Sequence, residues 1–150
     1  TMRYICYLKR NIVFIPTSAQ IGVGHYRDVE PVAVVPVADV DRLRRSLREV
    51  VTRGNPSAPP LTRNNRPPPV VLKHAGAKTW SAFARGTRPW QIDEQNGNYR
   101  IIGMRDSSGG GWEEDPQQTT IFPLGTPLNT VVDCMVEILR AAAKNSNTTT

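Results

Sequence analysis

Three consecutive carboxylates, Glu113, Glu114 and Asp115, follow a glycine triplet and Trp112 in "GGGWEEDPQ", within a chain of net charge +6. Carboxylates serve as general acid and base, or hold Mg2+, when fixed backbone makes them converge. Neighbours on a loop point in different directions. The triplet therefore reads as a solvated turn entering a strand at Asp115-Pro116 or as a surface for a partner, with catalysis the weakest use. Trp112 is the tryptophan expected to be most exposed, and such a residue beside charges can anchor a binding surface. "GVGHY" and "SSGGGW" could bring backbone N–H groups to an anion. Neither opens a helix or carries the Lys-Ser/Thr of a phosphate-binding loop. Cys6, Cys134, His25 and His74 are too scattered for a four-donor zinc site, and both thiols are expected to be free and buried. Ser81 and Ser108 have no His/Asp set near them in the sequence, and His74 reads as a surface or packing residue. No reaction is announced by any residue set, so no enzymatic activity and no cofactor are expected.

The elements that must position these residues begin with "RYICYLK" and "IVFIPT", apolar β-branched and aromatic runs split by Arg10-Asn11, which form a hairpin. A polar loop containing Gly22 and Gly24 leads to a third strand, "PVAVVPV". Asp39 then starts a helix whose Leu43, Leu47, Val50 and Val51 share one face, while Arg42, Arg44, Arg45 and Arg48 surround the other and Gly54 ends it. Proline dominates residues 55–69, a surface connection that blocks helix and ladder alike. "VVLKHA" reads as a short strand and "KTWSAFAR" as a helical turn. "PWQIDE" and "NYRIIGMR" pair across Asn96-Gly97, a dipeptide suited to the positive φ of a type I′ turn. After the acidic stretch come "TTIFPL" as a strand and a final helix, with Thr126 as N-cap, Pro127 first in the helix and a frayed tail "KNSNTTT".

A shift of 87 positions aligns the chain with itself: Asn11 meets Asn98, Ile15 meets Ile102, Gly22 meets Gly109, Gly24 meets Gly111, Asp28 meets Asp115 and Pro36 meets Pro123. These identities fall on turn and core positions, where repeats should agree. One residue inserted at Pro127 brings Leu43 onto Val131 and Leu47 onto Met135. The expected fold is α+β: antiparallel sheet with helices on one face, a duplicated ββ-loop-βα unit in a single domain spanning 2–150, with halves 2–54 and 89–144.

"PVVLKHAGAKTWSAF", "GWEEDP" and "PLGTPLNTVVD" resemble a small, uncharacterised bacterial family that is itself similar to immunity proteins of contact-dependent growth inhibition and other polymorphic toxin systems. That resemblance implies a cytoplasmic protein that binds a cognate toxin domain and blocks its active site. Immunity proteins against nucleases are usually acidic, whereas this chain is basic. A nuclease partner would have to meet a local acidic surface, for which Trp112, Glu113, Glu114 and Asp115, with the repeat counterparts Tyr26, Asp28 and Glu30, are the candidates. The alternative partner is nucleic acid, reached through the arginine helix and Arg63 and Arg66. The interrupted opening run and the lack of a long apolar stretch argue against a signal peptide and a membrane span.

Overall fold

A computed structural model describes residues 1–148. Six strands form one antiparallel sheet: β1 (Met2–Lys9), β2 (Ile12–Gly22), β3 (His25–Pro36), β4 (Thr87–Gln95), β5 (Asn98–Asp106) and β6 (Trp112–Ile121), in the order β3-β2-β1-β4-β5-β6. Helix α1 (Val40–Arg53) follows β3 and α4 (Leu128–Thr148) follows β6, while α2 (Val71–Ala75) and α3 (Trp80–Ala84) lie in the connection between the halves. The α+β class is therefore as expected. Adding 87 to the bounds of β3 gives 112–123, against Trp112–Ile121 for β6, and adding 88 to those of α1 gives 128–141, inside α4. Each half is thus a three-strand meander followed by a helix, and the halves meet along β1 and β4 from Met2↔Glu94 to Lys9↔Thr87.

Strand alternation sorts the side chains onto two faces. Tyr4, Cys6 and Leu8 of β1, Val13 and Ile15 of β2, Trp90 and Ile92 of β4 and Ile101 of β5 pack with Leu43, Leu47, Val131, Met135 and Leu139 of the long helices. Residues of opposite parity, Tyr7 and Phe14, pack with Val71, Leu72 and Phe83 of the short helices. Arg44 Nε joins the long helices to each other by donating to Asp133 at 2.6 Å. The sheet is thus covered on both faces, by the repeat helices on one and by the inserted connection on the other.

Several local expectations are corrected. "VVLKHA" is helical, not a strand. Leu72 N–H donates to the Pro69 carbonyl, and Gly76, at φ 66°, ends the turn in the left-handed region. The β-branched pair Val70-Val71 favours strand locally, but burial of Val71 and Leu72 against the sheet outweighs that preference. The polar loop before the third strand is a short turn at Val23-Gly24, and β3 already begins at His25. Likewise "WEEDPQ" belongs to β6 and is not a turn; only residues 107–111 connect the strands, with Gly110 and Gly111 at positive φ. Thr126 does not cap α4, because its hydroxyl donates to the Pro123 carbonyl at 2.7 Å. That helix also runs on through Thr148 where a frayed tail was expected; Thr149 and Thr150 lie outside the described residues. Cys6 is buried and Cys134 only half-buried, both free.

Candidate functional site

One half of the α2/α3 face is sealed and the other is open. Tyr7, Phe14, Val71, Leu72 and Phe83 fill the sealed half, and Lys9 Nζ fastens α3 there by donating to the carbonyls of Ala82 (3.2 Å), Phe83 (2.9 Å) and Arg85 (2.5 Å). Beyond Tyr7 the same face turns polar, with Gln91 and Asp93 on β4 and Ser18 on β2 buried. The Pro-rich connection stands off from this surface and leaves a cleft of about 1070 Å3. Its walls include Pro67, Pro68, Pro69 and Leu61 on one side and β3 from Tyr26 to Glu30 on the other, with Trp80 and Lys78 beside them.

A β-bulge aims the β3 residues. The pairing steps from Pro16↔Val32 to Thr17↔Val29, leaving Glu30 and Pro31 unpaired. Glu30 reaches α2, where Lys73 Nζ lies at 2.9 Å and His74 Nε2 at 2.7 Å. These two partners hold the Glu30 carboxyl down at about 2. Asp28 takes the opposite course. Tyr7 Oη donates to its Oδ2 at 2.6 Å, and desolvation raises its pKa from 3.8 to about 6 against the lowering effect of that bond. Among the described residues no Lys, Arg or His nitrogen comes within ion-pair distance of the half-buried Asp28, whereas the fully buried Asp93 is paired with Arg3 (3.3 Å) and Arg100 (3.2 Å). Tyr26 lines the same cleft, with the Arg3 guanidinium 5.6 Å from its ring centroid.

The other four sequence candidates lie on β6, at the far edge of the sheet. Trp112 is half-buried, a correction to its expected exposure: its ring centroid is 5.8 Å from that of Trp80 and 6.1 Å from that of Tyr7. Glu113 pairs with Arg105 at 3.4 Å. Asp115 is buried and accepts from Gln117 N–H (3.0 Å) and Gln118 Nε2 (2.8 Å), which lower its pKa. Only Glu114 of the triplet is exposed without an ion pair among the described residues. Tyr26, Asp28 and Glu30 are thus brought together in the cleft, while Glu113 and Asp115 are satisfied by β6 itself and by Arg105 of the neighbouring β5.

On the arginine helix, Arg44 is engaged with Asp133 and Asp41, Arg48 with Asn129, and Arg53 with Thr17. These contacts anchor α1 to α4 and β2. The site residues that sequence reasoning passed over are Tyr7, Trp80, Gln91 and the prolines of the wall. Tyr7 had one visible signal, a hydroxyl in an otherwise apolar strand, where a buried phenol needs an acceptor.

Among the described residues no helix is long and apolar enough to cross a membrane. No family model matches the chain, and no curated protein matches it. The fold is similar to that of a solved structure, a protein of unknown function, NMB0488, from Neisseria meningitidis: the TM-score is 0.65, with 13% identity over 94% of each chain. At that identity the likeness concerns the fold.

Proposed function

We propose that this chain is an immunity protein that binds a cognate bacterial toxin domain in the cytoplasm and neutralises it stoichiometrically, by occlusion rather than turnover. The observation that carries the reading is the cleft. It is concave, apolar on its proline wall and furnished with a few polar groups, as sites for an inserted ligand segment are. Tyr26, Asp28 and Glu30, three of the residues that sequence reasoning put at the interface, line it. The toxin would seat a loop between β3 and the prolines, holding its active site against this face.

Nucleic-acid binding draws less support, since Arg44, Arg48 and Arg53 already serve internal contacts. Co-expression with a candidate toxin domain, sought first in the neighbouring genes, is the test. A one-to-one complex on size-exclusion chromatography with light scattering, together with survival of cells expressing the toxin, is the expected result. No complex and no protection would sink the proposal.

A further inference from the structure

We infer that the cleft is an arginine-accepting site, in which Asp28 receives the guanidinium of a partner polypeptide. The inference rests on the binding reading above and names the side chain that the partner must supply.

Asp28 spends one oxygen on Tyr7 Oη and has no second hydrogen-bond or ion-pair partner among the described residues. No buried side-chain polar atom among the described residues lacks a partner, so the remaining oxygen, Oδ1, is open to the cleft. A desolvated carboxylate without a counterion favours an incoming cation, and a guanidinium offers paired donors that an ammonium does not. Apolar and aromatic surface from Leu72, Trp80 and Pro69 lines the same cleft and suits the methylene stem and flat head of arginine. The other acid of the cleft, Glu30, is already neutralised by Lys73 and His74. That leaves Asp28 as the receptor. Arg27 and Lys78 line the cleft with no ion pair of their own among the described residues, so an acidic residue is expected next to the arginine.

The probe is a blocked peptide, acetyl-Gly-Arg-Glu-Gly-amide, with a counterpart carrying citrulline, which keeps the shape of arginine and removes its charge. Titration followed by 15N–1H NMR is expected to give saturable shifts at Asp28, Leu72 and the Trp80 indole. Citrulline in the peptide, or Asp28→Asn in a protein whose spectrum stays dispersed, should each weaken binding by about tenfold or more. Equal binding of the two peptides, an unaffected Asp28→Asn variant, shifts centred elsewhere, or no saturable shift at all would each overturn the inference. The two readings separate cleanly. A toxin complex that Asp28→Asn leaves intact sinks the arginine site alone, whereas peptide binding without a toxin complex sinks the immunity reading alone.

Discussion

Replacing Asp28 by asparagine should make the protein more stable at alkaline pH, and the structure gives the size of the gain. The carboxyl has its pKa raised from 3.8 to about 6, so between those values the folded chain holds a proton that the unfolded chain has released. Stability carried by the protonated group is therefore fully present below 3.8 and lost as pH rises through about 6. At about 1.4 kcal/mol per pH unit, the difference corresponds to about 3 kcal/mol of destabilisation at pH 8. Water reaching the open oxygen reduces this, so a gain of roughly 1–3 kcal/mol is expected for Asp28→Asn, whose amide oxygen can still accept from Tyr7. For a chain of this length that raises Tm by roughly 3–8 °C. The assay is thermal and guanidinium denaturation of both proteins at pH 8 and near pH 4. Glu30 and Asp115, whose lowered values act in the opposite sense, are common to both proteins and cancel in the difference. A variant no more stable than the parent at pH 8, or a difference independent of pH, would refute the reasoning.

Two further substitutions test the scaffold that holds the cleft. Phe83→Ala should destabilise by about 3–5 kcal/mol, because Phe83 is fully buried and its ring lies 5.4 Å from Tyr7 and 5.7 Å from Phe14, so α3 loses its anchor; denaturation midpoints measure it, and a loss below about 1 kcal/mol would mean that α3 is not docked as described. Gly103→Ala should destabilise by about 1–3 kcal/mol, since the new methyl would lie 2.7 Å from Gln118 Cβ and 3.1 Å from Trp90 Nε1, where the bulge of β6 folds over β5. A neutral result for Gly103→Ala would show that the bulge can move aside.

The scaffold was legible in the sequence because its signals are local and repeated. Alternating apolar positions, the Asn96-Gly97 turn and the Asp39-to-Gly54 helix each specify an element from a few neighbouring residues, and the shift of 87 ties the halves together. The site was less legible because it is assembled by partners distant in sequence. Nothing near Trp112 indicates that Tyr7 and Trp80 will meet its ring, so a tryptophan beside three acids looked exposed. The satisfied state of Glu113 and Asp115 depends on Arg105, eight to ten residues back across a turn, together with a bulge that periodicity does not reveal. "VVLKHA" misled for the same reason, since the sheet face that buries Val71 and Leu72 comes from β1 and β2.

The duplication turns these observations into a comparison with an internal control. Asp28 and Asp115 occupy equivalent positions, and in each half a strand irregularity follows: Glu30 and Pro31 are unpaired in β3, and the β5–β6 register breaks between Ile102 and Met104, across from residues 115–118. If the fold itself required an aspartate there, both copies would be satisfied in the same way. They are not. Asp115 accepts from Gln118 and a backbone N–H and lies in ion-pair range of Arg105, and its pKa is lowered; among the described residues Asp28 has Tyr7 alone, and its pKa is raised. The same substitution should therefore act with opposite sign in the two halves. Asp115→Asn should lower stability near neutral pH, with the deficit shrinking as acid protonates the parent, whereas Asp28→Asn should raise it. Parallel denaturation of the two variants checks this, and effects of the same sign would mean that both aspartates serve the fold. Opposite signs would mark Asp28 as a carboxylate kept against the stability of its own half, which is the behaviour expected of a residue held ready for a partner.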